Sequence, residues 1–291
     1  MAVYEHTYQP YAGALTPTWS RFLILPRHAY QDVFRSKLFT AFFALCFVCP
    51  LVMMILIYLR HNASALALME LNVADLVPIN ANFFRTYITI QGVFGFLLTV
   101  LIGPVLVSRD LANNALPLYF ARPFSRAAYV LGKMSVLLIL ISAITWAPGL
   151  LLFLFQSYLE AGWFAKNHWI AGALLISSWT WMLLLALLSM ALSAWVKWRL
   201  AASAALFAVY IIPNVIGLII DELFRTSFGS LMSLVILIQT VNDALFRQWN
   251  TLELKVWMVP SLWSAWMGLV AIGGICLLLI SRKVRAYEVV R

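Results

Sequence analysis

The sequence predicts an all-α integral membrane protein with six transmembrane helices. The chain has 291 residues, of which 64% are hydrophobic and only 11% are charged, whereas a typical soluble domain is about half apolar and about a quarter charged. Its mean hydropathy is +0.91. Six long stretches contain no Asp, Glu, Lys or Arg. The lipid bilayer is therefore the predicted solvent for most of the chain.

Each uncharged stretch is long enough to cross the membrane as a helix. About 20 residues, at a rise of about 1.5 Å each, span the roughly 30 Å of hydrocarbon, and a helix satisfies its own backbone hydrogen bonds in lipid. The predicted spans are 38–59, 86–108, 134–159, 169–196, 200–220 and 256–281. They form a single transmembrane domain over 38–281, with an arm at 1–37 before it and a basic tail at 282–291 after it.

The N-terminal arm has the composition of a helix that lies on the membrane surface. Aromatic and aliphatic side chains alternate there with basic ones such as Arg21, Arg27 and Arg35. Helices of this kind lie at the level of the lipid headgroups. We expect an interfacial helix in the arm, divided at Pro26. A disordered arm is the alternative.

The distribution of basic residues predicts the orientation. When the loops are assigned alternately to two sides, 14 Lys and Arg fall on the side of both termini and 6 on the other. The positive-inside rule then places both termini in the cytoplasm. The same distribution explains the +9 net charge by topology, so that no nucleic acid is expected as a partner.

A seventh uncharged stretch lies between the fifth and sixth predicted spans. Residues 226–242 are only 17 in number and include Gly229 and Gln239, which is marginal for a crossing. A crossing there would also move the basic tail to the outside, against the positive-inside rule. We therefore expect residues 221–255 to be an external segment that carries a re-entrant or interfacial helix.

The loop after the second predicted span combines charges with an apolar stripe. Arg109 and Asp110 place charges at the membrane surface. Four residues then have the spacing of one face of a short surface helix, which Pro117 shortens or breaks: Leu111, Ala115, Leu118 and Tyr119. The stripe predicts a short helix that lies along the membrane face. A solvated basic loop that only fixes topology is the alternative.

A turn follows the stripe and leads into the third span. Residues 121–126 read ARPFSR, in which Pro123 favours a turn and Ser125 is a suitable N-cap for the next helix. The stretch ends with Gly132 and Lys133.

This order of residues resembles the second loop of type-2 ATP-binding-cassette (ABC) exporter permeases. That loop commonly contains an acidic residue, a small-residue helix, a Pro-x-Ser-Arg turn and a Gly-Lys pair. The matching residues are Asp110, Asn114 to Leu118, Pro123, Ser125, Arg126, Gly132 and Lys133. The arm, the six spans and the external re-entrant segment also fit the layout of that family. The chain departs from the pattern at Asn113-Asn114, where Gly-Thr is usual, and at Pro117.

The resemblance implies that the loop is a coupling helix docked in a separate cytoplasmic ABC ATPase subunit. The implied coupling residues are Arg109, Asp110, Leu111, Asn114, Ala115, Leu118, Tyr119, Arg122, Pro123, Ser125, Arg126, Gly132 and Lys133. The chain would be the permease subunit of an ATP-driven exporter in a bacterial cytoplasmic (inner) membrane, surrounded by lipids and paired with a second permease copy or a paralogue. ATP and magnesium would be bound by the partner subunit and no cofactor by this chain.

Catalytic and metal-binding patterns are not apparent in the sequence. The cysteines lie in apolar runs and the four histidines are scattered, which gives neither a zinc spacing nor a nucleophile–base pair. No charged residue lies in the core of a predicted span, and this disfavours a proton-coupled carrier. Two alternatives to a permease stay open: a lipid-modifying intramembrane enzyme that uses His168 or the Asp221-Glu222 pair, and a non-transporting membrane anchor of an envelope complex.

Polar and kinked positions within the spans are candidates for a substrate path. Pro50, Pro148 and Pro213 are expected to interrupt the first, third and fifth spans, where the freed carbonyls need partners or a water-lined cavity. The candidate path residues are Gln91, Thr99, Pro213 and Asn214. Hydrogen bonding between helices is the alternative use of these side chains. The sequence leaves open the identity of the substrate and whether the two permease copies are identical.

Overall fold

The computed structural model describes residues 24–62, 77–113, 126–196 and 198–283, and these residues are helical with no strand. The α-helices are α1 (Ile24–Phe34), α2 (Lys37–Leu45), α3 (Val48–His61), α4 (Ala81–Ala112), α5 (Arg126–Ile144), α6 (Trp146–Leu159), α7 (Trp163–Trp195), α8 (Arg199–Phe224), α9 (Leu234–Leu245) and α10 (Leu262–Lys283). Two short 3₁₀ helices, Ser230–Met232 and Val256–Met258, lie between α8 and α10.

Six helical segments are long and apolar enough to cross a membrane, as the sequence predicts. They are Lys37–His61, Ala81–Pro104, Ala127–Leu159, Trp163–Trp195, Arg199–Phe224 and Leu262–Lys283. The first segment consists of α2 and α3, and the third of α5 and α6. The sixth begins later than the predicted residue 256, because residues 256–258 form a separate 3₁₀ turn.

The arm contains a helix from Ile24 onward, and its earlier residues lie outside the described part of the chain. Pro26 is in the first turn of α1 and does not break it, because a helix's first N–H groups have no intrahelical partner to lose. α1 packs on α5, where the Tyr30 hydroxyl donates to the Val136 carbonyl at 3.5 Å. Burial raises the pKa of Tyr30 to about 12, so this hydroxyl stays protonated near neutral pH.

Helix α7 is the centre of the bundle, since it contacts α4, α5, α6, α8, α9 and α10. In the second, third and fourth spans, 56%, 50% and 56% of the most apolar stretch is buried within the chain. The corresponding shares in the first, fifth and sixth spans are 17%, 11% and 22%. The middle three spans therefore form the core. In the other three spans, most residues of this stretch are not buried within the chain.

Pro50 breaks the first span, and a side chain from another span satisfies the carbonyl that it frees. α2 ends at Leu45 and α3 begins at Val48. Proline lacks the N–H that would bond the carbonyl four residues earlier, which here belongs to Cys46. The Gln91 amide on α4 donates to that carbonyl at 2.9 Å. The kink in the first span is thereby fixed against α4.

Pro148 breaks the third span in the same way. α5 ends at Ile144, and the Tyr87 hydroxyl on α4 lies 3.1 Å from the freed Ile144 carbonyl and 2.7 Å from the carbonyl of Thr145. Tyr87 is completely buried. A carbonyl left without a partner in an apolar interior would cost about 1–3 kcal/mol, so Tyr87 makes the break tolerable.

Two further prolines lie within helices that continue through them. Pro104 is inside α4, and the carbonyl four residues before it, that of Val100, accepts from the Ser203 hydroxyl on α8 at 3.1 Å. Pro213 is inside α8, which continues through it. The prediction that Pro213 interrupts the fifth span is therefore wrong. A proline need not break a helix when neighbouring helices satisfy the freed backbone groups.

The segment between the fifth and sixth spans contains the short helix α9. Its 12 residues extend about 18 Å, less than the roughly 30 Å of a hydrocarbon core. α9 packs against α7, α8 and α10. The helix lies at 234–245, a few residues later than the uncharged stretch 226–242 that predicts it.

Candidate functional site: the two ends of helix α4

Helix α4 carries a largely buried ion pair near each of its ends. Its 32 residues correspond to about 48 Å, longer than the hydrocarbon thickness. Arg85 and Asp110 are separated by about 37 Å along the helix. We name the region of Asp110 and Lys133 the loop end, because residues 114–125 connect α4 to α5 there. The region of Arg85 and Asp243 is the anchor end.

At the loop end, Asp110 of α4 binds two side chains of α5. The Lys133 ammonium is 2.9 Å from Asp110 Oδ2, and the Tyr129 hydroxyl donates to the same oxygen at 2.8 Å. Tyr129 and Lys133 are four residues apart, which places them on one face of α5. The Lys133 and Asp110 side chains are 11% and 14% exposed. The pair therefore joins the last turns of α4 to the first turns of α5 with little competition from water.

The structure brings together only part of the predicted coupling loop. Asp110 and Lys133 meet directly, and Gly132 is buried beside Lys133 on α5. Arg109 and Leu111 belong to the last turns of α4 and Arg126 begins α5. The remaining predicted residues lie outside the described part of the chain: Asn114, Ala115, Leu118, Tyr119, Arg122, Pro123 and Ser125.

Tyr129 is the contact at the loop end that sequence reasoning missed. The signal that could have found it is the four-residue spacing to Lys133, which predicts a shared helix face. The three side chains form a strut between the second and third spans at the mouth of the loop.

At the anchor end, Arg85 of α4 pairs with Asp243 of α9. The Arg85 Nε is 2.6 Å from Asp243 Oδ1, and the two side chains are 10% and 9% exposed. The Thr251 N–H donates to Asp243 Oδ2 at 2.9 Å and the Thr251 hydroxyl to Oδ1 at 2.7 Å. The Gln239 amide is 3.3 Å from the same Oδ1. These bonds fix α9 and the segment after it to α4.

A second buried carboxylate, Asp221, folds the chain between α8 and α9. Its oxygens accept from the N–H groups of Gly229 and Ser230, both at 2.7 Å, and from the Ser230 hydroxyl. Gly217 and Gly229 approach so closely that a β-carbon on either would overlap the carbonyl oxygen of the other. Asp221 therefore acts as a structural acceptor for a tight backbone crossing.

The other residues considered for an enzyme also make local contacts. Glu222 pairs with Lys255 at the surface. The His168 ring lies 3.2 Å from the Ala165 carbonyl within the same helix.

The predicted substrate-path residues make hydrogen bonds inside the bundle. Gln91 and Thr99 are fully buried; Gln91 donates to the Cys46 carbonyl, and Thr99 donates to the Gly95 carbonyl at 2.8 Å. Asn214, next to Pro213 on α8, accepts from the Ser233 hydroxyl at 2.7 Å. The Gln91 bond joins two helices, which is the alternative use that the sequence leaves open, whereas the Thr99 bond stays within α4.

Comparison with known proteins provides no relative from which to infer a role for either end. No protein-family model matches the chain, and no curated protein is similar to it.

Proposed function

We propose that the chain is the permease subunit of an ATP-driven exporter of the ABC type. A separate ATPase subunit docks on the loop at 114–125 and drives movement of the spans. The observation that carries this proposal is the buried strut of Asp110, Tyr129 and Lys133 at the base of that loop. It connects a loop with a docking pattern to the second and third spans, which belong to the buried core.

The proposed orientation places the loop end in the cytoplasm, where ATP is available. Its support is the excess of Lys and Arg on the side of both termini, 14 against 6, which predicts a cytoplasmic location. The anchor end then faces outward, with α9 as a re-entrant helix. A multi-pass protein with this charge bias fits a bacterial cytoplasmic membrane.

The first, fifth and sixth spans provide the surface for a second permease copy or a paralogue. Only 17%, 11% and 22% of their most apolar stretches are buried within the chain. Two copies would match the paired ATPase subunits of such exporters, whose closure on ATP favours one of two permease conformations.

Co-purification tests the proposed coupling. The tagged full-length protein is purified in mild detergent from its native membranes, and an ATPase subunit is identified by mass spectrometry and by ATP hydrolysis. We expect wild type to recover the subunit. Asp110→Lys is expected to lose most of it, because two ammonium groups would then face each other at the strut.

A charge swap separates coupling from simple misfolding. Asp110→Lys combined with Lys133→Asp restores opposite charges across the strut and should restore part of the recovery. The matched control is the swap Glu222→Lys with Lys255→Glu in the exposed pair, which should leave recovery unchanged. If wild type recovers no ATPase, the proposal fails, and a membrane anchor or an intramembrane enzyme takes its place.

A further inference from the structure

Large apolar side chains are exposed at the anchor end, where α8 ends. Consecutive spans cross in opposite directions, so the fifth span ends on the side where the second begins. We name five residues around this point the apolar rim. They are between 40% and 79% exposed: Leu223, Phe224, Phe228, Val256 and Trp257. A cluster of exposed apolar side chains marks a surface that contacts a membrane or another protein.

Polar contacts fix the segments that carry the rim to one another. The Ser230 hydroxyl donates to the Met258 carbonyl at 2.7 Å, which joins the turn after α8 to the 3₁₀ helix Val256–Met258. Glu222, in the last turn of α8, pairs with Lys255. The polar groups of this region therefore bond one another, and the rim side chains remain at the surface of a fixed structure.

Two cations lie close to the aromatic ring of Trp257. The Lys255 ammonium is 5.4 Å and the Arg225 guanidinium carbon 5.8 Å from the centre of that ring. Lys255 also pairs with Glu222, whereas Arg225 pairs with no carboxylate among the described residues. Arg225 is exposed. The rim therefore contains a cation that can bind an anion from outside the chain.

Arg225 has a backbone conformation that favours glycine. Its φ is 50° and its ψ is 48°, which is the left-handed region where a β-carbon is crowded. Glycine is the usual residue in this conformation directly after a helix. Arg225→Gly therefore removes the cation while it relaxes the backbone, so that the two contributions can be separated by experiment.

The rim has the composition and the position of a membrane–water interface. Trp rings accompanied by Lys or Arg at the end of a span lie at the level of the lipid headgroups, where the cation reaches the phosphates. Exposed Ile216 and Ile219 lead along α8 to Leu223 at spacings of three and four residues, which places them on one face of the helix. The rim thus continues an apolar face of the fifth span, at the edge of the hydrocarbon. A water-soluble partner would not reach apolar side chains at that depth.

We propose that the apolar rim is inserted in the headgroup layer of the membrane and that Arg225 binds the phosphate of a lipid there. The aliphatic and phenyl side chains of the rim contact the acyl chains next to the headgroups. Eight of the 12 residues of α9 are buried within the protein, so the rim, and not α9, is the main lipid contact between the fifth and sixth spans. This inference requires only the membrane-spanning fold and does not depend on an ATPase partner.

Depth measurements with nitroxide spin labels test the insertion. Full-length protein in which alanine replaces the three cysteines is labelled at Phe228→Cys or Val256→Cys. It is reconstituted in vesicles of phosphatidylethanolamine and phosphatidylglycerol. Collisions of the label with oxygen, which concentrates in lipid, and with a water-soluble nickel chelate report its depth.

Two further positions calibrate the depth scale. Leu151, in the third span, is 51% exposed and serves as the reference for the hydrocarbon. Glu253 is an exposed acidic residue of the segment before α10 and serves as the reference for water. We expect the ratio of oxygen to nickel collisions at Phe228→Cys and Val256→Cys to lie between those at Leu151→Cys and Glu253→Cys.

Two arginines with the same backbone conformation form a matched pair in the chain with its native cysteines. Arg247 is also exposed, has a φ of 54° and lies 4.1 Å from the centre of the Trp169 ring, but it makes no contact with Trp257. Phosphatidylglycerol is added to the purified protein in maltoside detergent, and the unfolding temperature is measured. Arg225→Gly should raise the lipid concentration that gives half of the stabilisation about fivefold, the effect of one cation at an anionic lipid surface. Arg225→Lys, which keeps the charge, and Arg247→Gly should each leave it within about twofold.

Three results would overturn the assignment. Labels at the rim that meet the nickel chelate as often as the label at Glu253→Cys would place the rim in water. Labels shielded from both reagents would mean that protein, either a second copy or another subunit, covers the rim. Equal effects of Arg225→Gly and Arg247→Gly would reject Arg225 as the ligand of the lipid phosphate.

Discussion

The two ends of helix α4 use the same kind of ion pair in different surroundings. Arg85 and Asp243 are 2.6 Å apart, and Lys133 and Asp110 are 2.9 Å apart. At the anchor end, Asp243 receives further bonds from Thr251 and from its own helix. At the loop end, the further bond to Asp110 among the described residues comes from Tyr129.

The two ends differ in the number of donors that hold the carboxylate of the ion pair. The network at the anchor end satisfies both oxygens of Asp243 from two separate segments, so movement there breaks several bonds at once. The strut at the loop end uses one oxygen of Asp110 and only joins α4 to α5. The strut therefore involves fewer bonds than the network at the anchor end.

The largest loss of stability is expected when the ion pair between Arg85 and Asp243 is removed. Asp243→Asn leaves the Arg85 guanidinium buried without its counter-ion, which should lower the free energy of unfolding by about 3–5 kcal/mol. Thermal unfolding of the purified protein in detergent measures this loss. Replacing both partners, Arg85→Met with Asp243→Leu, should restore part of it, because no unpaired charge then remains, while the Thr251 donors lose their acceptor. A double variant as unstable as the single one would contradict this explanation.

A smaller loss of stability is expected at the loop end. Asp110→Asn removes the ion pair with Lys133 but retains an oxygen that accepts from Tyr129, so we expect a loss of about 1–3 kcal/mol. The same unfolding assay measures it. ATPase recovery should fall more strongly for Asp110→Asn than for Asp243→Asn at equal amounts of folded protein. The opposite order would mean that the anchor end, and not the strut, is coupled to the partner.

The hydrogen bonds of Tyr87 at the kink of the third span provide a reference for the strut at the loop end. Tyr87→Phe removes the hydroxyl that bonds the Ile144 and Thr145 carbonyls, and should lower the free energy of unfolding by about 1 kcal/mol. Because Tyr87 shares no hydrogen bond with Asp110, the losses of Tyr87→Phe and Asp110→Asn should add to within about 0.5 kcal/mol. A larger departure in the double variant would show that the kink and the strut move together.

The smallest effect is expected from the exposed ion pair at the surface. Glu222 and Lys255 have side chains that are 49% and 52% exposed, and exposed pairs contribute about 0–1 kcal/mol. Glu222→Gln should therefore leave the unfolding midpoint almost unchanged, at low and at high salt. A loss comparable to that of Asp243→Asn would mean that burial does not explain the contrast between the ion pairs.

The sequence predicts that the prolines free carbonyl groups that need hydrogen-bond partners, but it does not predict which side chains these partners are. Pro50 and Pro148 lie in apolar spans, so that freed carbonyls are expected from the sequence. Gln91 and Tyr87, which bond the carbonyls of Cys46 and Ile144, are 45 and 57 residues away from them along the chain. Gln91 is a substrate-path candidate in the sequence because an amide in a span needs a polar neighbour, and the neighbour is the backbone of another kinked helix.

The sequence alone predicts that most of the chain lies in lipid. It also predicts the six candidate spans and the short helix between the fifth and sixth of them. These features depend on the length and hydropathy of local segments, which the bilayer selects directly. Only the tertiary structure decides that Arg85 meets Asp243 and that Asp110 meets Lys133. The physical reason is that apolar helices can pack in many arrangements, whereas each buried polar group must find a specific partner across the bundle.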